Sequence, residues 1–390
     1  MYNFKIATTL LVCISSFLGA NGQERTTGDL QTYADALVKP VMQGNHISGL
    51  SIAVSVNGKH TFLNYGVASK ATGTAVSEQT LFELGSISKT FTATLACLAE
   101  VEGKLDLSKP VSQYLPQLKH SAFDNINLYH LGTHTAGGFD LQLPDAIQNE
   151  AQLMDFYRSW KPDYTVGGQR IYTNPSIGLL GLIAGKAFQQ PFPAAMTQHV
   201  LNKLHLSNTF YEVPAAKMEQ YAQGYDKTDQ PVRVNPAMLA NEAYGVKSCT
   251  ADMIKFVDAN MGIGPVDKTV GKAIRKSHTG YFATADMTQD LIWEQYDYPV
   301  TLEQLQKGNA YEMIYQPNKV EEIIPHAKAK TQVLINKTGS TNGFGGYVLY
   351  LPAKKIGIVI LANKNYPNAV RIDLAYQLLS YLEKYPSANR

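Results

Sequence analysis

The two ends of this chain constrain its fold more than anything between them. Near the start, "GDLQTYADALVKPVMQGN" (28–45) places Leu30, Ala34, Leu37 and Val41 at helical intervals, interrupted late by Pro40. "GLSIAVSVNGKHTFLNYGVA" then alternates as strands do, with Asn57-Gly58 where a tight hairpin turn belongs. Near the end, "TQVLINKTG", "GGYVLYLP" and "KIGIVILAN" read as three strands, with "PAKK" as a turn. "NAVRIDLAYQLLSYLEKY" follows as a helix with Val370, Leu374, Leu378 and Leu382 on its apolar side. Helix–strand–strand at one terminus and strand–strand–strand–helix at the other imply one antiparallel sheet built from both. The middle reads as helices and short loops. The expected fold is α/β: an antiparallel sheet flanked by N- and C-terminal helices (residues 23–103 and 195–390), with a mostly helical domain (104–194) inserted.

The chain has 390 residues, 45% hydrophobic and 17% charged, which suits a globular protein with a sizeable core. A formal charge of +2 gives no reason to expect nucleic acid or an anionic membrane as partner. "MYNFKIATTLLVCISSFLGANGQ" sets Lys5 before an apolar run from Ile6 to Leu18 and then small residues. It is too short to span a bilayer and reads as a secretory signal peptide, residues 1–22, cleaved after Gly22 or, as second choice, Ala20. A periplasmic protein with no span in its mature chain is expected, and a monomer. Cys13 follows Val12, bulkier than a lipid-anchoring site usually accepts, and it leaves with the leader. Cys97 and Cys249 are expected as free thiols, Cys97 on the apolar face of a helix.

That helix opens at "FELGSISKTFTAT" (82–94), carries Phe91, Leu95, Leu98 and Val101 on one stripe, and stops near Gly103. Ser86 and Lys89 stand three positions apart, close to one turn, so both side chains share a face. They read either as a capping serine with a solvated lysine, or as a nucleophile with its base. Two further signals follow in order: Tyr172-x-Asn174 in "QRIYTNPSIG", and Lys337-Thr338-Gly339 at a strand end in "LINKTGSTNGFGG". Each is weak alone, and Tyr366-x-Asn368 is a second Tyr-x-Asn, but the ordered set of three is strong. "HLGTH" sets His130 and His134 four apart, without the glutamate of a helix-borne zinc protease or an evident third ligand, so no metal site is expected. No other cofactor is expected.

With these residues in view, the chain resembles a class C β-lactamase over essentially its whole mature length. "FELGSISKTFTAT", "TAGGFDLQLPD", "YTNPSIGL", "EAYGVKS", "NKTGSTNGFGGYV" and "ILANKNYPNAVR" carry the likeness. It implies a sheet domain and a helical domain with the site between them, and a serine hydrolase opening the β-lactam ring of cephalosporins and penicillins. It further implies Ser86 as nucleophile, with Lys89 and Tyr172 as the proton-transfer pair. Gln142 and Asn174 would hold the substrate's side-chain amide, and Lys337, Asn368 and Arg371 would lie towards its carboxylate.

The chemistry needs these residue types. A serine hydroxyl is a poor nucleophile until a base takes its proton, and lysine serves only if burial or nearby positive charge lowers its pKa. Tyr172 meets the same demand, and Lys89 and Lys337 would favour its phenolate. The backbone N–H groups of Ser86 and of Ser340, just past Lys337-Thr338-Gly339, are the candidate oxyanion donors. The Ser-Asp-Asn and Glu-x-x-Leu-Asn strings of a class A enzyme are missing, so Tyr172 is expected to activate the deacylating water. The likeness departs at "LIWE" (291–294), at Phe139-Asp140, and at His134, where the family usually has tyrosine. The same fold also serves D-Ala-D-Ala carboxypeptidases, esterases and penicillin-binding sensors, which remain as alternatives.

Overall fold

A computed structural model describes residues 27–385; the expected signal peptide, residues 1–22, lies outside them. Its frame is a nine-stranded sheet, antiparallel at every pairing. In chain order the strands are β1 (Gly49–Val56), β2 (Lys59–Gly66), β3 (Gly280–Ala283), β4 (Thr288–Gln289), β5 (Glu294–Asp297), β6 (Glu321–Ala327), β7 (Val333–Ser340), β8 (Gly345–Leu351) and β9 (Ile356–Ala362). Their spatial order is β6-β3-β4-β5-β7-β8-β9-β1-β2. The two termini meet inside the sheet, one strand in from its β2 edge, with Leu50 opposite Ala362 and Val56 opposite Ile356. Asn57 and Gly58 both take positive φ, 54° and 81°, as a two-residue hairpin of this twist requires.

Both faces of the sheet are covered, which is why its central strands read as nearly continuous apolar runs. On one face, Leu50, Ile52 and Val54 of β1 join Ile356, Ile358 and Ile360 of β9 in a core closed by α1 (Thr27–Gly44) and the C-terminal α6 (Asn368–Lys384). On the other, Val348, Tyr350, Val359 and Leu361 join a second core around α2 (Ser88–Val101). Helices α3 (Asn174–Ala187), α4 (Thr250–Asn260) and α5 (Lys268–Ser277) pack against α2 or its neighbours. The alternation in "SIAVSV" does not mark a wet face. Ser51 bonds Thr250 at 2.7 Å and Ser55 donates to Asp258 at 2.6 Å, so the small polar positions seat α4 on the sheet.

Two local expectations need correction. Pro40 does not interrupt α1, which runs on to Gly44. Pro40 and Ala36 are both exposed, so water can satisfy the carbonyl that the proline cannot serve. The apolar stripe expected on α2 is instead a helix buried all round, from Ser88 to Ala99. Its threonines are not orphaned: Thr90 donates to Ile87 O, Thr92 to Glu242 O and Thr94 to Thr90 O, at 2.6–2.8 Å. Phe91 stacks on Phe256 of α4 with centroids 4.2 Å apart, and burying such a ring contributes about 1.5–3 kcal/mol. Cys97 and Cys249 are buried free thiols in separate apolar clusters. No helix among the described residues is long and apolar enough to cross a membrane.

Candidate active site

The helix expected to open at Ser86 opens at Ser88. Gly85–Ile87 form a single 3₁₀ turn before it, and no side chain caps the helix, which removes the reading of Ser86 as a capping residue. Gly85 has φ +53°, and a Cβ there would lie 2.4–2.5 Å from the backbone N, C and O of Ser340. Glycine is thus what lets the nucleophile turn sit directly against the end of β7. A Cβ on Gly339 would meet Leu84 O at 2.1 Å, so the contact is tight from both sides. The N–H groups of Ser86 and Ser340, proposed as the oxyanion donors, belong to these two abutting segments.

Lys89 is completely buried, and its Nζ donates to Ser86 Oγ at 3.0 Å and to Ala243 O at 2.9 Å. Burial pushes its pKa down, and the charge of Lys337 pushes the same way, against the opposing pull of Tyr172. Lys89 therefore gives up its proton more readily than a solvated lysine does.

Tyr172 lies between a two-residue strand (Gln169–Arg170) and α3, whose N-cap Thr173 accepts from Ser176 N. Its ring is buried and its hydroxyl faces Ser86 and Lys89. Burial alone would raise the phenol pKa. The charges of Lys337 and Lys89, whose Nζ atoms lie 5.3 and 5.1 Å from the ring centroid, together with the Ser86 and Lys89 interactions at the hydroxyl, outweigh it and hold the pKa below its ordinary value.

Lys337 is 2% exposed and donates to Glu294 Oε1 at 3.1 Å. The same oxygen lies 3.5 Å from Arg170 Nη2, and Arg170 Nε donates to Gln289 Oε1 at 2.6 Å. One buried carboxylate thus holds two cations behind Tyr172, and a positive field survives there. Sequence reasoning missed Glu294 and Arg170. "LIWE" contains the glutamate, but nothing local says that β5 would set it beside β7.

These residues line a cleft of about 390 Å³ that contains Ser86, Tyr172, Lys337, Thr338 and Ser340. Gln142, Asn174 and Asn368 also line it, and Asn174 N donates to Leu141 O, tying the Gln142 loop to the tyrosine segment. Asn174 Oδ1 is buried without a hydrogen-bond partner among the described residues. Asn368 Nδ2 donates to Asn309 O at 3.3 Å. Arg371 is placed differently from the expectation. It is fully buried rather than presented to the cleft, and it donates to Gly339 O at 2.8 Å, to Ser340 Oγ at 2.9 Å and to Asn365 Oδ1 at 2.6 Å. Its guanidinium satisfies backbone carbonyls under the end of β7, so it reaches a substrate only through Ser340. The cleft also takes in Tyr244, from the "EAYGVKS" stretch, and Tyr311 and Tyr315 with their exposed rings, which no motif signalled.

His130 and His134 have separate duties. His130 Nδ1 accepts from Asn127 N at 3.0 Å, closing a capping box, and His134 Nδ1 accepts from Thr173 N at 3.3 Å. Among the described residues no group of three or more His, Cys, Asp or Glu is placed to hold a metal ion.

A serine with a buried lysine on its Oγ, a tyrosine with lowered pKa, and a Lys-Thr-Gly strand edge define a penicillin-recognising serine hydrolase of the sheet-plus-helix type. The β-lactamase family model matches residues 34–383, and the chain belongs to that family. A β-lactamase of Pseudomonas fluorescens is 49% identical over 91% of this chain and 99% of its own length; one of Providencia stuartii is 46% identical over 91% and 92%. Among solved structures, a class C β-lactamase in complex with cefoxitin matches with TM-score 0.89 and 46% identity, over 91% of this chain and 99% of that one. A β-lactamase/D-alanine carboxypeptidase from Pseudomonas syringae matches with TM-score 0.89 and 52% identity, over 90% and 99%.

Proposed function

We propose that this chain is a class C β-lactamase whose Ser86 Oγ attacks the β-lactam carbonyl and forms an acyl-serine that water then hydrolyses. The observation that carries this reading is the 3.0 Å contact between Ser86 Oγ and the buried, pKa-lowered Lys89. In acylation the Ser86 proton passes to the Lys89–Tyr172 pair, the amide C–N bond breaks, and the ring nitrogen takes a proton from the same pair. The carbonyl oxygen becomes an oxyanion between the N–H groups of Ser86 and Ser340. In deacylation Tyr172, held towards its phenolate by Lys337 and Lys89, takes a proton from the attacking water, and as the acyl C–O bond breaks the Tyr172–Lys89 pair returns a proton to Ser86 Oγ, restoring the hydroxyl. Lys89 and Tyr172 share one proton, so their titrations belong to the pair. Gln142 and Asn174 receive the side-chain amide, while Lys337, Thr338, Ser340 and Asn368 receive the carboxylate, with Arg371 bracing them from beneath.

Mixing purified protein with a chromogenic cephalosporin tests the reading. Turnover far beyond one equivalent is expected, with no acyl adduct persisting in the intact mass. A stable adduct after a single equivalent points instead to a penicillin-binding target. D-alanyl carboxypeptidase activity is the second reading, favoured by two solved relatives described with that activity, from Pseudomonas syringae and Burkholderia cenocepacia; release of D-alanine from a D-Ala-D-Ala peptide measures it. Residues 1–22 we read as an export leader and the mature enzyme as a periplasmic monomer. N-terminal sequencing of a periplasmic fraction should begin at Gln23, and light scattering should give the mass of one chain.

A further inference from the structure

His134 lies against the segment that carries Tyr172, and its surroundings give it a task. Ile171 N donates to His134 O at 2.8 Å, and Thr173 N donates to His134 Nδ1 at 3.3 Å. Both neighbours of Tyr172 therefore bond to one residue. The imidazole also lies on the Tyr172 ring, with centroids 4.4 Å apart and planes at 40°. His134 is 2% exposed and takes φ 61°, a left-handed conformation that costs a side-chain-bearing residue about 1–2 kcal/mol. That turn brings its carbonyl and its ring to the same short segment.

A ring whose Nδ1 accepts a hydrogen bond carries its proton on Nε2. His134 Nε2 is buried with no partner among the described residues. Burial, together with the charges of Arg170, Lys89 and Lys337, holds the ring's pKa well below its ordinary value, so the ring stays neutral and Nδ1 stays free to accept.

We propose that His134 is a positioning residue for Tyr172, clamping the backbone on both sides of it and covering one face of its ring. The clamp sets the approach of the phenol oxygen to Ser86 and Lys89. The proposal rests on Tyr172 being the proton-transfer group, so Tyr172→Phe is measured in parallel. His134→Ala removes the acceptor. His134→Asn keeps an acceptor atom at the same bond distance from the backbone and tolerates the left-handed turn. The alanine variant should lose about 10- to 100-fold in kcat, the scale of a displaced catalytic group, while KM changes less than roughly threefold. Its acid limb in the kcat–pH profile should move to higher pH as the phenol drifts from Lys337 and Lys89, and asparagine should restore most of both. A lowered Tm with kcat and pH profile unchanged overturns the proposal. The wild-type enzyme supplies a test that needs no variant to fold. Nitrogen-15 NMR should show His134 as the Nε2–H tautomer, unprotonated at Nδ1, across about pH 5 to 8. An Nδ1–H tautomer or an imidazolium in that range refutes the clamp. Wild-type turnover by Tyr172→Phe would overturn the role given to Tyr172, and the NMR result would still decide the clamp.

Discussion

Replacing Gly85 by alanine tests how the site is assembled, because the perturbation is one carbon placed between its two halves. That carbon would lie 2.4 Å from Ser340 O and 2.5 Å from Ser340 C and N. Non-bonded carbon contacts settle near 3.5–4.0 Å, so the nucleophile turn and the end of β7 must part by about 1 Å. Neither side yields easily. The turn is held by Leu84 N on Val246 O, and Ser340 is paired with Gly345 and bonded from below by Arg371. The positive φ of 53° adds a left-handed alanine worth about 1–2 kcal/mol, and overpacking costs about 1–3 kcal/mol more. The larger effect falls on catalysis, since the N–H groups of Ser86 and Ser340 must converge on one oxygen. A displacement of about 1 Å at such a pair costs on the order of 100-fold in rate. Stopped-flow acylation with a chromogenic cephalosporin should therefore slow about 100-fold while Tm falls by a few degrees. An acylation rate within threefold of wild type would show that the oxyanion donors are not these two groups.

Four further outcomes are expected. Ser86→Ala should abolish turnover by at least about a thousandfold with an unchanged circular dichroism spectrum, and residual hydrolysis above that level removes Ser86 as nucleophile. Tyr172→Phe should form acyl-enzyme slowly and then retain it, by about 100- to 10,000-fold in deacylation; intact-mass spectrometry showing clearance as fast as wild type excludes Tyr172 as the base. Arg371→Met should destabilise the protein by about 3 kcal/mol or more in urea unfolding, because Gly339 O and its neighbours lose a buried donor; near-native stability contradicts the bracing role. Glu242 is buried and its pKa is raised by desolvation to about 7, so the folded state prefers its neutral form. Its contribution is then unpenalised below its unfolded pKa near 4.5, and stability is lost progressively as pH rises from there through 7. Glu242→Gln should flatten that loss, by about 3 kcal/mol between its extremes, in urea titrations at pH 5 and pH 8; an unchanged pH dependence counts against it.

The parts of this fold that were legible in the sequence are those with long, regular patterns. β1, β7, β8 and β9 announce themselves because each buries seven residues in a row, α1 and α6 because each carries a helical stripe, and β2, with one buried residue, because the Asn57-Gly58 turn marks it as the partner of β1. β3 to β6 were not foreseen. They are two to seven residues long, and β6 is largely exposed, so no periodicity accumulates. The contact between Ser86 and Lys89 was legible because the two lie within one turn, and spacing along the chain is then spacing in space. Glu294 and Arg170 were not, since a buried carboxylate shared by two cations is a product of strands that meet only in the folded sheet. Arg371 misled because its place towards the carboxylate came from the resemblance alone, with nothing in its own surroundings along the chain to check it. Its real partners are carbonyl oxygens, which sequence does not display.

The meeting of the two termini inside the sheet decides when the enzyme can come into being. β1 finds no partner on its inner edge until β9 is made, and Ser86 has no Ser340 to stand against until β7 is made. A chain emerging from the ribosome therefore carries Ser86 for most of synthesis without the β7 segment it packs against or a closed core. Contacts this remote in sequence are slow to form and reward the chain only at the end. The nascent polypeptide consequently stays pliable and inert until it is almost complete, a timing written into the strand order itself.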